Sequence, residues 1–160
     1  MTEKEYNQSV DQFSTPLFRF IYKSLNVRED AENVVQDTFE SLWMNLAKVE
    51  NEKAKSWLFT TAYRKMIDTI RKDKKMVEMP EYMNEKGNVA SQPDLKEIVN
   101  GAMEKLPEIQ KTVIMLRDYE GYDYAEIGNI TGLNESQVKV YIFRARQTLK
   151  NYLVSLENII

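Results

Sequence analysis

Apolar residues recur along this chain at the spacing of helices, with few alternating β-branched runs of the kind that make strands. In residues 16–25, Leu17, Phe18, Phe20, Ile21 and Leu25 form a wide apolar face. In residues 28–48, Ala31, Val34, Val35, Phe39, Leu42, Trp43 and Leu46 recur at i, i+3, i+4 and i+7. The pattern predicts helices over residues 3–13, 16–25, 28–48, 54–74, 93–105, 107–119, 124–131 and 135–156. Asn26 tolerates the left-handed geometry that closes a helix. Asp30 lies near the start of the next helix, where the dipole favours a carboxylate. Between residues 76 and 92 the periodicity stops, and Pro80, Gly87 and several polar side chains intervene. The expected fold class is therefore all-α: two small helical domains, residues 1–75 and 93–160, joined by a flexible linker over 76–92. A long surface loop inside one domain is the less common alternative.

Residues 124–146, YAEIGNITGLNESQVKVYIFRAR, have the layout of a helix-turn-helix. Gly128 is small where two helices cross closely, and Gly132 sits at the turn, where positive φ costs glycine nothing. Asn134 is the expected N-cap of the second helix, with Glu135 or Gln137 completing the cap. Val138, Ile142 and Ala145 then point inward, leaving Gln137, Lys139, Tyr141, Arg144 and Arg146 for the outer face. In such motifs the start of the second helix enters the major groove, where Lys or Arg reads guanine or holds phosphate and Gln reads adenine. An ordinary helical hairpin with a charged outer face has the same pattern.

Charge changes the picture more than composition does. The whole chain of 160 residues has a net charge of −3, but two adjacent stretches carry opposite charge. Residues 28–52 carry seven acidic side chains against two basic ones, a net of −5; residues 53–75 carry eight basic against two acidic, a net of +6. The basic stretch, SWLFTTAYRKMIDTIRKDKK at 56–75, interleaves aromatics with cations. Opened nucleic acid offers partners for both, phosphates for the cations and unstacked bases for the rings. Read alone, Trp57, Leu58, Ala62, Ile67 and Ile70 equally suit the core face of an amphipathic helix. The chain holds neither cysteine nor histidine, which excludes disulfides, thiolate catalysis, zinc fingers and imidazole acid–base chemistry. No metal site and no cofactor are expected. The first residues, MTEKEYNQSVDQF, lack a signal peptide's apolar region, and no run of about 18 apolar residues is present, so a cytoplasmic protein is expected.

Taken in order, three blocks resemble the extracytoplasmic-function class of bacterial RNA polymerase sigma factors. AENVVQDTFESLW (31–43) resembles the family's core-polymerase-binding helix. KSWLFTTAYRKMIDTIRKDKK (55–75) resembles its promoter-melting and minus-ten-reading helix. LPEIQKTVIMLRDYEGYDYAEIGNITGLNESQVKVYIFRARQTLK (106–150) resembles its minus-thirty-five-reading domain. The resemblance implies that Asp30, Glu32, Gln36, Asp37 and Glu40 meet core polymerase at its clamp coiled coil, while Val34, Phe39 and Trp43 mainly pack the domain. It implies minus-ten DNA contacts for Lys53, Lys55, Trp57, Tyr63, Arg64, Asp68, Arg71, Lys72 and Lys75. It implies minus-thirty-five contacts for Ser136, Gln137, Lys139, Val140, Tyr141, Phe143, Arg144 and Arg146, in a domain that meets the polymerase flap. The chain departs from the family where Ala62-Tyr63-Arg64 stands in place of a run ending Ala-Arg-Asn. It departs again where Val140 and Tyr141 follow Lys139 in place of a small residue and an arginine.

The expected function is then that of a sigma factor: it binds core polymerase, selects promoters and helps open them, doing no covalent chemistry and taking no small-molecule substrate. With no further sensory domain after residue 160, control is expected to come from an anti-sigma factor, commonly membrane-tethered in this family. Two other classes stand beside this one. A stand-alone helix-turn-helix regulator would use residues 1–75 for dimerisation or effector binding. A helical adaptor or carboxylate-based metal enzyme would lack the Glu-x-x-His pattern of di-metal bundles.

Overall fold

The structure is a computed structural model and describes residues 1–76 and 94–157. Within these residues it is helical throughout: α1 (Glu3–Leu25), α2 (Arg28–Met44), α3 (Ala54–Met76), α4 (Leu95–Glu104), α5 (Glu108–Ile114), α6 (Tyr124–Thr131) and α7 (Glu135–Glu157). Apart from Met76, which ends α3, the expected linker lies outside the described residues, as does Pro93.

The two helices expected over 3–13 and 16–25 are one. α1 starts at a capping box, with Glu5 N–H donating to Thr2 Oγ1 at 3.1 Å and Thr2 N–H to Glu5 Oε1 at 2.9 Å. It then runs straight through Pro16. An interior proline costs a helix about 3 kcal/mol. Leu17, Phe20 and Ile21, just beyond it, are fully buried. At about 1.5–3 kcal/mol for each such side chain, burial outweighs the break. The Ser14 hydroxyl donates back to the Val10 carbonyl beside the proline. Asn26, at φ 60°, ends the helix in the left-handed form its side chain tolerates.

α2 stops at Met44, four residues short of the expected end, and a 3₁₀ turn (Leu46–Lys48) follows. Ala31, Val34, Phe39 and Leu42 are buried as expected. Trp43 is not a packing residue: 47% of it is exposed, and its ring meets Tyr6 edge-on at 5.1 Å. It lies at the margin of the apolar stripe, where α1 covers one edge of the indole. α3 buries Leu58, Phe59, Ala62 and Met66, whereas Trp57, Ile67 and Ile70 are half-buried.

In the second half, Asp94 caps α4 by accepting from Glu97 N–H at 2.8 Å. The single helix expected over 107–119 changes register: α5 ends at Ile114 and a π-helical turn (Met115–Tyr119) follows. Such turns widen the backbone locally and often accompany functional surfaces. Here the turn buries Met115 and Leu116, and Arg117 Nη1 donates to the Tyr122 carbonyl at 2.9 Å.

The halves share one buried core. Phe59 of α3 stands 5.6 Å from Phe20 of α1 and 5.5 Å, edge-on, from Tyr122. Lys55 lies over the other partner's ring, its Nζ 4.7 Å from the Tyr122 centroid. At the rim Arg19 pairs with Glu120 at 3.0 Å. α3 packs directly on α6, so the basic aromatic helix faces the helix-turn-helix.

Candidate nucleic-acid interface

The helix-turn-helix is built by two caps and two glycines. α6 begins with a capping box: Glu126 N–H donates to Asp123 Oδ1 at 2.8 Å and Asp123 N–H to Glu126 Oε1 at 3.3 Å. α7 begins with a neutral version, Gln137 N–H donating to Asn134 Oδ1 at 2.8 Å and Asn134 N–H to Gln137 Oε1 at 3.0 Å. Gln137, and not Glu135, completes that cap. Gly132 ends α6 at φ 80°. A Cβ on Gly128 would lie 2.7 Å from the Leu133 carbonyl oxygen, so the close crossing is with the turn's own backbone.

These devices fix the outer face of α7. Val138, Ile142 and Ala145 are buried, as their spacing predicts. Ser136, Gln137, Lys139, Val140, Phe143, Arg144 and Arg146 are exposed, and Tyr141 is half-buried. Phe143 is 63% exposed, a large apolar surface left in water on a basic helix. The Arg144 guanidinium lies over the Tyr141 ring at 5.9 Å. Lys139 reaches Glu135 at 4.0 Å and lies 5.5 Å over Tyr124. Arg146 is engaged elsewhere, paired with Asp118 of the π turn at 2.8 Å.

Lys53, in the 3₁₀ turn (Asn51–Lys53) that leads into α3, and Ser56, Trp57, Thr60, Thr61 and Arg64 of α3 line a cleft of about 500 Å³, and Asn129 of α6 lines it from across the seam. An indole, three hydroxyls and two cations in one cleft match what an unstacked nucleotide offers, a ring face, polar edges and a phosphate. Ser56, Thr60, Thr61 and Asn129 are not among the expected residues. Ser56 stands three residues from Lys53, and the threonines one turn from Trp57 and Arg64, so helical spacing carries their signal; Asn129 has none. The other expected residues of α3 spread more widely. Lys55 is turned onto Tyr122. Tyr63 is half-buried, and burial, then the Glu108 carboxylate, pushes its phenol above the usual range, with Arg71 opposing. Asp68, Arg71 and Lys72 are exposed further along the helix, and the Lys75 side chain lies outside the described residues.

α2 presents the acidic face. Gln36, Asp37 and Glu40 are exposed and Asp30 is half-buried. Glu32 is held by Arg28, one turn back, at 2.9 Å. The exposed Trp43, which periodicity assigns to the core, and Met44 extend this face with apolar surface.

Two family models match the chain, Sigma-70 region 2 over residues 10–76 and Sigma-70, region 4 over residues 96–149. It is also 30% identical over 135 residues to RNA polymerase sigma factor SigV of Bacillus subtilis (strain 168), covering 83% of this chain and 81% of that protein. The chain belongs to the extracytoplasmic-function sigma factors of bacterial RNA polymerase. A second relative, ECF RNA polymerase sigma factor SigM of the same organism, is 29% identical over 144 residues, 86% of this chain and 88% of that protein. In fold the sigma factor is similar to RpoE of Bartonella quintana, solved in complex with the anti-sigma factor NepR, with TM-score 0.78 and 24% identity over 94% of this chain and 97% of that one. Region 2 of this sigma factor thus takes in most of α1 with α2 and α3, and region 4 takes in α4 to α7 up to residue 149. The protein is a promoter-specific transcription initiation factor, and its partners are core RNA polymerase and promoter DNA. Among the described residues no helix is long and apolar enough to cross a membrane, and no group of acidic side chains is arranged to hold a metal ion.

Proposed function

We propose a division of labour among three faces. The acidic face of α2, with Asp30, Glu32, Gln36, Asp37 and Glu40, docks on the clamp coiled coil of core polymerase, and Trp43 and Met44 add apolar contact. The α3 cleft around Trp57 and Arg64 receives an unpaired base of the minus-ten element, and Lys53, Arg71, Lys72 and Lys75 hold the backbone. The exposed face of α7 reads the minus-thirty-five element through Arg144, Lys139 and Ser136, with Val140 and Phe143 positioned for thymine methyls. The region 4 half meets the polymerase flap.

The observation that carries this reading is the α3 cleft, where an indole sits among hydroxyls between Lys53 and Arg64. Strand opening forfeits stacking, and a site that captures a flipped base offsets part of that loss. RNA synthesis belongs to the polymerase, so the chain itself is no enzyme and works where core polymerase does, in the cytoplasm. An anti-sigma factor, membrane-tethered as is common in the family, is the proposed control partner, as NepR is the partner solved with the Bartonella protein.

Run-off transcription on a genomic promoter library, with and without the protein, tests the whole. Transcripts that need the protein and share two upstream motifs at fixed spacing support it. Specific DNA retention by the protein alone, without new transcripts, would point to a stand-alone regulator. Asp37→Lys tests the α2 face: it is expected to weaken co-elution with core polymerase while the melting temperature is unchanged. Undiminished co-elution would remove Asp37 from the contact.

A further inference from the structure

A second cleft lies on the other side of the seam. It has a volume of about 320 Å³ and lies between the end of α1 and the α4, α5 and π-turn segments. Three lysines converge on it, Lys23 from α1, Lys96 from α4 and Lys111 from α5, against one carboxylate in the lining, Glu104. Lys111 is the unusual member. It is only 6% exposed, and no hydrogen-bond or ion-pair partner of its side chain is found among the described residues. A long cationic side chain packs its stem and keeps its charged head at an open surface, here the cleft that Lys111 lines. Cations crowd that cleft: burial, then Arg19, Lys96 and Lys111, push the Lys23 ammonium below its usual range, while Glu120 opposes the shift. Glu120 is itself committed to Arg19.

Two aromatic rings flank the charge. Tyr22 and Tyr119 both line the cleft, and Lys23 Nζ lies 4.2 Å over the Tyr119 ring. Asn26 and Asn100 add amide donors and acceptors at its edge. The volume falls at the small end of pockets that hold metabolites, about 300–1,000 Å³.

We propose that this cleft binds a small phosphate-bearing anion, a pyrophosphate group free or carried by a nucleotide, whose charge neutralises Lys111, Lys23 and Lys96 together. Because Lys23 belongs to the first half and Lys96 and Lys111 to the second, an occupant ties the halves together. It favours the packed form by as much as it prefers that form over a separated one.

The test uses the full chain without polymerase or DNA, so its failure leaves the sigma-factor reading untouched. Calorimetric titration with pyrophosphate, ATP and GTP at fixed ionic strength is expected to give saturable one-to-one binding for at least one of them. The melting temperature should rise as that probe is added. Tighter binding of a nucleotide than of pyrophosphate would assign the rings to a base; equal binding would assign the site to the phosphates alone. Lys111→Met, which keeps the buried volume, should weaken binding tenfold or more without loss of helical content. Lys96→Ala, at the exposed rim, should do so to a lesser degree. No saturable heat with any of the three probes would overturn the proposal. So would unchanged affinity in Lys111→Met, or equal displacement by a hexaglutamate peptide.

Discussion

The two helices proposed to read DNA present themselves in opposite ways. On α7 the reading face is open: Phe143 is 63% exposed, and Val140, Lys139 and Arg144 stand beside it in water. On α3 the corresponding cleft is half-enclosed, because Asn129 of α6 lines it from across the seam. α3 also supplies Phe59 and Lys55 to the contact with Tyr122. The difference teaches that one reader is ready in the packed form, whereas the other is engaged in holding that form together. A helix whose aromatic and cationic side chains serve the seam has fewer of them free for a promoter. In our reading, upstream recognition is available before the seam opens, and base capture by α3 gains access when α6 withdraws.

Breaking the seam at its centre should have the largest effect. Phe59 is fully buried between Phe20 and Tyr122. Phe59→Ala is expected to cost about 3–5 kcal/mol in urea unfolding. Hydrogen exchange should speed up in α3 and α6 more than at the outer face of α7. Uniform loss of protection along the chain would mean that the two readers are not separable in this way.

The open reader depends on local backbone and not on the seam. Gly128→Ala places a methyl 2.7 Å from the Leu133 carbonyl oxygen, a backbone atom that moves only with the turn. The expected cost is about 1–3 kcal/mol. Upstream DNA binding should fall with it, while the α3 cleft keeps its hydrogen-exchange protection. If the substitution leaves both stability and binding unchanged, the close crossing is not what presents α7.

Much of this was legible in the sequence, and the exceptions have physical reasons. The inward triad Val138, Ile142 and Ala145, the left-handed Asn26 and Gly132, and the Asn134 cap all follow from local chemistry, and all are present. Pro16 misled because breaker rules weigh the backbone alone, and the buried side chains that follow it outweigh the lost hydrogen bond. Trp43 misled because periodicity marks a stripe without saying where the neighbouring helix ends. The seam was invisible: Phe59 and Tyr122 each read as residues of their own half, and no sequence rule pairs two rings 63 residues apart. The π turn depends on a backbone register that carries no signature in residue type. In the α3 cleft, Trp57 and Arg64 are expected from the family resemblance, but Asn129 enters only through tertiary packing.

Among the exposed side chains of α7, Arg144 distinguishes base reading from backbone contact. Arg144→Ala is expected to weaken binding to the cognate upstream element by about 1–3 kcal/mol if the guanidinium makes a bidentate base contact. Sequence preference should relax at one position. An equal loss on unrelated duplexes would place the residue on phosphate instead, and no loss would remove it from the face.

The smallest effect sharpens the contrast within the helix-turn-helix itself, where one cap titrates and the other does not. Asp123 caps α6, and its carboxyl is held below the usual range chiefly by the Glu126 backbone N–H, with Arg117 nearby as a weaker cause. A folded pKa below the unfolded value means that the cap's contribution is complete at neutral pH. It fades as pH falls from about 5, through the unfolded value and then the folded one. The Asn134–Gln137 box on α7 has no carboxylate and stays constant over the same range. Asp123→Asn substitutes an equally good cap that does not titrate. Urea unfolding of both proteins is therefore expected to give near-equal stability at pH 7 and a relative loss in the parent at pH 3. Parallel stability curves would mean that the Asp123 cap does not differ in energy between its two protonation states. The acid sensitivity of α6, the helix that covers the α3 cleft, would then have to lie in the seam.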